Sequence, residues 1–325
     1  MAVRPAIEAE GLVRTFGDVR AVDGIDLSVA PGEVFGFLGP NGAGKSTVVR
    51  MFTTLLRPTA GTATVGGHDV VSGSGAVRRT IGVALQDAAI DPLMTGNELI
   101  RLQSVLHGIP RAVARIRGAE LLERVGLTAA AGRRVGTYSG GMRRRLDLAM
   151  ALVHEPEILF LDEPTTGLDP TSRQALWEEV RRLNTENGTT VFLTTQYLEE
   201  ADRLADKIIV LDKGSIIAEG TADQLKSQVG GERVEFVLTD PADHHRALEI
   251  LTPVGLDVPT YDAQTRRISM PVGGGAEDLT TALLGFKQAN ISVVDVGLRR
   301  PNLDDVFLTL TGHTAEDDVV AEEEK

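Results

Sequence analysis

The chain has 325 residues, which suits about two domains, and its 42% hydrophobic and 24% charged residues are ordinary for a globular protein. A formal net charge of −13 argues against broad nucleic-acid binding, and the absence of cysteine excludes disulfides and thiolate metal sites. No apolar run approaches the ~20 residues of a membrane-spanning helix, so we expect any work at a membrane to need a spanning partner.

The first two thirds of the chain alternate between strand and helix patterns. Residues 1–30 alternate apolar and polar positions around Ile7–Gly11 and Ile25–Val29, which predicts antiparallel strands at a sheet edge. Helical spacing covers Ser46–Leu56 and Asn97–Val125, and the second stretch indicates a helical insert within a helical subdomain of about residues 88–155. Continuous apolar runs, typical of strands buried on both faces, occur at Val34–Leu38, Ile158–Leu161, Thr190–Leu193 and Ile208–Leu211.

These alternating elements predict an α/β fold with a mostly parallel sheet. The character of the chain changes near Gly230-Gly231, so we place one domain at residues 1–229 and a second, small α+β domain at residues 230–313. The second domain has the order βαββαβ of a split, ferredoxin-like fold. Its predicted elements are strand Arg233–Leu238, helix Ala242–Leu251, strands Leu256–Tyr261 and Arg267–Val272, helix Glu277–Ala289, strand Ile291–Val296 and a last helix carrying Leu303, Val306, Phe307 and Leu310. Residues 314–325 are expected to form an acidic, disordered tail.

A phosphate-binding motif follows the strand Val34–Leu38. The pattern G-x-x-x-x-G-K-[ST] is matched by Gly39, Pro40, Asn41, Gly42, Ala43, Gly44, Lys45, Ser46 and Thr47. Glycines let backbone N–H groups turn inward onto phosphate oxygens, and the following helix adds the positive end of its dipole. Lys45 should reach the β- and γ-phosphates of ATP, and Ser46 should hold Mg²⁺.

Two carboxylates end the apolar strand Ile158–Leu161. Asp162 can hold the Mg²⁺ ion through water, and Glu163 can orient and deprotonate an attacking water molecule. Strands often end in acidic residues, so this signal is weak alone and strong after a phosphate loop.

A second glycine-rich helix start lies at Ser139-Gly140-Gly141-Met142. Because one nucleotide already has a phosphate loop, a second anion-binding site suggests a γ-phosphate held across a dimer interface. A plain N-cap with flexible glycines explains the same residues equally well. The neighbouring Arg143-Arg144-Arg145 run predicts a solvated or ion-paired helix face rather than a nucleic-acid site.

In this order the motifs resemble the ATP-binding cassette (ABC) family, the nucleotide-binding subunits of transporters, from Ile7 to about Leu225. The resemblance implies that Phe16 stacks on adenine and that Gln86 occupies the Q-loop, contacting ATP and the Mg²⁺ held by Ser46 and Asp162. It also implies that Ser139, Gly140, Gly141 and Met142, as the signature, and Asp169 of the D-loop contact the ATP of a second subunit.

A narrower resemblance, to the daunorubicin-resistance ATPase subfamily, lies in Thr137–Asp147, Leu193–Asp202 and Leu303–Gly312. Within the broad family's pattern, Tyr138 replaces the usual Leu, Met142 the usual Gln, and Gln196 the usual switch His. The resemblance implies that Gln196 senses the γ-phosphate. Gln196 would then take part in catalysis with Lys45 and Glu163. The alternative is that Gln196 only caps the following helix.

We therefore expect an ATPase that uses ATP and Mg²⁺, forms an ATP sandwich with a second copy of itself, and binds no nucleic acid. The subfamily resemblance implies that it powers drug, antibiotic or lipid export through a separate permease, at the cytoplasmic face of the cell membrane. Two alternatives remain: a soluble cassette ATPase acting on nucleic acid or ribosomes, and an import subunit. The chain shows neither the paired cassettes nor the long coiled-coil insertions usual in the first alternative.

Overall fold

The structure, a computed structural model, describes residues 4–85, 90–229, 231–299 and 302–311. These residues divide into two compact units, one ending at Ala222 and the other beginning at Asp223. The composition change at Gly230 lies just beyond this division. Gly230, Gln86 and the predicted acidic tail lie outside the described residues.

The N-terminal strands belong to a sheet of their own. Its four strands, in the order β2-β1-β4-β5, are β1 (Ile7–Phe16), β2 (Val19–Val29), β4 (Ala60–Val65) and β5 (His68–Asp69). All pairs are antiparallel, as the alternating pattern predicted for the first two strands. They do not extend the edge of the parallel sheet, however, because β1 pairs on its second side with β4.

The central sheet is six-stranded, in the order β10-β9-β3-β8-β7-β6. Its strands are β3 (Val34–Leu38), β6 (Ile81–Ala84), β7 (Ile158–Asp162), β8 (Thr190–Thr195), β9 (Lys207–Asp212) and β10 (Ser215–Gly220). All pairs are parallel except β9 with β10. The carboxyl ends of β3, β7 and β8 therefore meet at one edge, where α/β sheets place their ligands.

Seven helices accompany these two sheets in the described part of the first unit. They are α1 (Lys45–Phe52), α2 (Ser74–Thr80), α3 (Gly96–Leu106), α4 (Arg111–Arg124), α5 (Gly140–Ala151), α6 (Pro170–Asn187) and α7 (Leu198–Leu204). The insert predicted at Asn97–Val125 is two helices, because Gly108 turns the chain at φ 69° and Pro110 precedes α4. In the described ranges, no helix combines the length and apolar character needed to cross a bilayer.

Aromatic packing fixes one face of the central sheet. Phe192 on β8 lies 5.4–5.6 Å, between ring centroids, from Phe35, Phe37, Phe52 and Phe160, which come from β3, α1 and β7. The opposite face packs against α5 and α6 through buried aliphatic side chains. Buried on both faces, β3, β7 and β8 are rigid supports for the loops that leave their carboxyl ends.

The second unit contains a four-stranded antiparallel sheet in the order β12-β13-β11-β14. Its elements are α8 (Ala222–Val229), which begins at the last residue of the first unit, β11 (Arg233–Leu238), α9 (His244–Leu251), β12 (Thr260–Asp262), β13 (Arg267–Pro271), α10 (Ala276–Gln288), β14 (Val293–Arg299) and α11 (Leu303–Thr311). This is the predicted split βαβ arrangement. The strand predicted at Leu256–Tyr261 is instead Thr260–Asp262, the three residues that pair with β13.

We expect Leu159→Ala on β7 to lower the free energy of unfolding by about 2–5 kcal/mol, because its fully buried side chain would leave a cavity. The matched Leu106→Ala, at a position that is 70% exposed, should cost no more than about 0.5 kcal/mol. Urea unfolding of both variants checks this, and equal losses would contradict the observed core.

Candidate functional site

The phosphate-loop motif joins β3 to α1, as binding of a phosphate requires. Gly44, just before the helix, has φ 106°, and a β-carbon there would lie 2.4 Å from the carbonyl oxygen of Ala21. A β-carbon on Gly39 would lie 2.3 Å from the carbonyl oxygen of Leu211. Only glycine fits at these two positions, and the loop consequently turns tightly between β2 and β9.

Lys45, the first residue of α1, is almost fully buried, with 4% of its surface exposed. Its ammonium donates hydrogen bonds to the carbonyl oxygens of Gly39 at 2.8 Å and Pro40 at 2.9 Å. It also lies 3.3 Å from Oε1 of Glu163. A buried charge is costly unless it is paired and hydrogen-bonded, and these three acceptors hold the cation above the loop.

Asp162, the last residue of β7, is linked to both neighbouring elements of the site. Ser46 Oγ on α1 lies 3.2 Å from Asp162 Oδ1, and Thr194 Oγ1 on β8 donates to the same oxygen at 2.5 Å. Hydroxyl and carboxylate oxygens are the ligands that Mg²⁺ prefers, so Ser46 and Asp162 fit a magnesium ion. The sequence pattern did not single out Thr194, although it is one of two adjacent threonines at the carboxyl end of β8.

Glu163 sits in a strained turn directly after β7. Its φ is 48°, a left-handed conformation that costs non-glycine residues about 1–3 kcal/mol and clusters at functional sites. Its N–H donates to both the carbonyl and the hydroxyl oxygen of Thr194, each at 3.1 Å. Thr166 Oγ1 donates to Oε2 at 3.4 Å. The turn brings the Glu163 carboxylate to the Lys45 ammonium.

The second predicted phosphate-binding segment begins α5. Ser139 caps this helix by accepting a hydrogen bond from the Met142 N–H at 3.2 Å, while Ser139 and Gly140 remain exposed. A β-carbon on Gly141 would lie 3.0 Å from Ser172 Oγ, which places the start of α6 beside it. Asp169 caps α6, and hydrogen bonds from the Ser172 side chain and then its N–H hold the Asp169 pKa below its usual value.

Similarity to known proteins identifies this arrangement. A family model described as ABC transporter matches residues 22–166. The daunorubicin resistance ATP-binding protein DrrA3 of Streptomyces coeruleorubidus is 51% identical over 307 residues, covering 94% of this chain and 96% of the relative. The chain belongs to the ABC transporter family of ATP-binding proteins. The daunorubicin/doxorubicin resistance ATP-binding protein DrrA of Streptomyces peucetius is 49% identical and covers 98% of this chain and 97% of its own.

A solved ABC structure shares the fold. It is a dimeric ATP-binding cassette in a post-hydrolysis state, bound to ADP and Pi, which is 26% identical with a TM-score of 0.62. The match covers 66% of this chain and 98% of that one. The predicted α/β cassette fold and the resemblance to the daunorubicin-resistance subfamily are therefore confirmed, and the chain is an ATPase.

Phe16, which we predicted to stack on adenine, ends β1 at the turn to β2. It pairs with Val19, and its side chain is 45% exposed. The Arg14 guanidinium carbon lies 4.4 Å from the ring centroid, so one face of the ring is covered by a cation. The strand that follows this turn, β2, approaches the phosphate loop at the carbonyl oxygen of Ala21.

Two further residues were predicted to contact ATP, Gln196 and Gln86. Gln196 follows β8 and is half-buried. The N-cap residue of α7 is Tyr197, whose side chain makes no capping hydrogen bond, so Gln196 is not the N-cap residue of that helix. Gln86 lies outside the described residues, but Leu85 immediately before it is described.

The three arginines at the start of α5 have different surroundings. Arg143 is exposed, as a solvated face predicts, whereas Arg144 and Arg145 are partly buried. Arg144 lies 3.5 Å from Asp147, which is buried one turn later on the same helix. Burial raises the pKa of Asp147 to about 7, although the nearby Arg144 opposes that rise. Sequence reasoning missed the inward position of Arg144, for which Asp147 at i+3 was the available signal.

We expect Lys45→Ala to weaken ATP binding by roughly 10- to 100-fold, because a hydrogen bond to a charged group contributes about 1.5–3 kcal/mol. Calorimetric titration of the full-length chain with ATP measures this. Arg50→Ala, on the exposed side of α1, is the matched control and should bind like wild type. Wild-type affinity in a folded Lys45→Ala protein would mean that the phosphates bind elsewhere.

Proposed function

We propose that this chain is the ATP-hydrolysing subunit of an exporter, working with a separate membrane permease at the cytoplasmic face of the membrane. The observation that carries the proposal is the convergence of Lys45, Ser46, Asp162 and Glu163 at the carboxyl edge of the central sheet. Similarity along nearly the whole chain to resistance ATP-binding proteins supports export over import. None of the relatives named above is described as acting on nucleic acid.

Nucleotide binding uses the loop and its flanking residues. The backbone N–H groups of the loop residues from Gly39 to Thr47 face the phosphates, Lys45 neutralises the β- and γ-phosphates, and Phe16 stacks on the adenine. Ser46, Asp162 and Gln86 would hold Mg²⁺, which when bound would supply positive charge that offsets the negative charge of the phosphates.

Hydrolysis uses the carboxylate of Glu163 as the general base. Glu163 removes a proton from a water molecule as the water oxygen attacks the γ-phosphorus, and the bond from that phosphorus to the bridging oxygen of ADP breaks. The strained turn at Glu163 keeps the carboxylate beside Lys45 and above the end of β7. Gln196, leaving the neighbouring β8, donates through its amide to the γ-phosphate.

Two copies of the chain complete the site. The exposed helix start at Ser139-Gly140-Gly141, beside Asp169, points its N–H groups at the γ-phosphate bound by the other copy. Only ATP bridges both copies, so the γ-phosphate is the group that favours the closed dimer. When hydrolysis removes the γ-phosphate, the dimer opens. The dimeric cassette with ADP and Pi supports this arrangement. The permease uses the closure to move a drug, antibiotic or lipid.

We expect Glu163→Gln to keep ATP binding but to slow hydrolysis by roughly 10²–10⁴-fold, because the amide keeps the shape and loses the base. The variant should then accumulate as an ATP-stabilised dimer, measured by light scattering after size-exclusion chromatography. Glu199→Gln, exposed on α7, is the control and should turn over normally. Wild-type turnover would exclude Glu163 as the base, and a monomer with bound ATP would exclude the sandwich.

We expect Gln196→Ala to lower the maximal ATPase rate more than it weakens ATP binding, because its contact with the γ-phosphate counts most during hydrolysis. Gln196→His should stay active and show a pH dependence near neutrality, where histidine titrates. Steady-state kinetics in the assembled transporter, between pH 6 and pH 8, measure both effects. An unchanged rate in Gln196→Ala would remove the sensing role.

A further inference from the structure

Arg144 on α5 has a largely buried side chain, 11% exposed, whose guanidinium contacts three backbone carbonyls. Nε donates to the carbonyl oxygen of Pro164 at 3.0 Å, Nη2 to that of Asp162 at 2.5 Å, and Nη1 to that of Leu85 at 2.5 Å. With Asp147 at 3.5 Å from Nη1, the planar fork engages all three of its nitrogens. Such a set of contacts fits arginine and no other side chain.

Two of these carbonyls lie on either side of Glu163. The same guanidinium therefore holds the residue before and the residue after the one whose φ is 48°. The N–H of Glu163 is held from the other side by Thr194. A strained backbone persists only where its surroundings determine it, and here hydrogen bonds fix the turn at three consecutive residues.

The third carbonyl extends this contact to another part of the site. Leu85 follows β6 and directly precedes Gln86, so Arg144 joins the start of the Q-loop segment to the end of β7. Arg144 itself lies in the second turn of α5, the helix that begins at Ser139-Gly140-Gly141. One side chain thus links the helix that would contact the partner's ATP to the turn that aims the carboxylate.

We propose that Arg144 is a positioning residue for ATP hydrolysis, which acts by holding the carbonyl groups on both sides of Glu163. The inference rests on the proposed role of Glu163 as the base. Arg144 does not touch the phosphates in this arrangement. Its loss should leave nucleotide binding nearly intact and allow the Glu163 carboxylate to leave the line of attack.

The first test compares three substitutions in the full-length chain. Arg144→Gln should lower kcat roughly 10- to 100-fold, the size of effect expected from misplacing a catalytic group by about 1 Å. Its KM for ATP should change less than about threefold, since ground-state binding is untouched. Arg144→Lys should not restore kcat, because a single ammonium cannot span the three carbonyls. Arg143→Gln, exposed on the same helix turn, should behave like wild type.

Removing Arg144 also leaves Asp147 buried without its partner, which could destabilise the protein. The double variant Arg144→Gln/Asp147→Asn removes both charges and serves as the second test, with thermal unfolding as a check. It should be folded and as slow as Arg144→Gln. A folded double variant with wild-type kcat, or an Arg144→Lys protein with wild-type kcat, would overturn the proposal.

A cycle with Glu163→Gln separates this inference from the proposed function. If Arg144 acts through Glu163, adding Arg144→Gln to Glu163→Gln should lower the single-turnover rate by less than about twofold. A further fall in the single-turnover rate as large as in the wild-type background would mean that Arg144 does not act through Glu163. That result would overturn the role of Arg144 but not the role of Glu163. Wild-type turnover in the single Glu163→Gln variant would instead overturn the base assignment.

Discussion

The positive charge of Lys45 is almost completely buried, and neighbouring acceptors offset the free-energy cost of that burial. Its ammonium needs acceptors, and it finds them in the loop carbonyls and in Glu163. Glycines at 39 and 44 are then required, because the loop that supplies these carbonyls passes against the backbones of β2 and β9. The need of the Lys45 ammonium for acceptors also brings Glu163, after the end of β7, next to the start of α1.

The second charged group in the site, the Asp162 carboxylate, connects α1 to two strands of the central sheet. It accepts a hydrogen bond from Thr194 on β8 and lies beside Ser46 on α1, so three elements share one oxygen atom. Phe192, two residues before Thr194, anchors β8 in the aromatic cluster. Core packing and site geometry are thus connected through a single strand. A site built on such buried strands is held more precisely than one built on loops alone.

Much of this site could be predicted from the sequence because its signals are local. The phosphate loop is a contiguous motif with a known mechanism, and Asp162-Glu163 follows an apolar run whose length is typical of a buried strand. The βαββαβ order of the second unit was likewise visible from periodicity.

The separate N-terminal sheet was not visible from periodicity, since the pairing of β1 with β4 joins residues far apart in the chain. Thr194 and Arg144 were missed for a related reason, because their partners lie on other elements and a sequence pattern does not show which side chains turn inward. The contacts of Thr194 and Arg144 hold the turn at Glu163, and no sequence pattern predicted that turn.

A crystal structure of the full-length Glu163→Gln chain with ATP and Mg²⁺ would test the central claim most directly. The account predicts the phosphates against Lys45 and the backbone N–H groups of the loop, with Ser139-Gly140-Gly141 of a second copy on the γ-phosphate. The opposite end of the central strands holds a cavity of about 1050 Å³, lined by residues that include Arg4, Arg117 and Thr190. Nucleotide phosphates bound in that cavity, or a γ-phosphate contacted by one copy alone in a crystal of dimers, would contradict it.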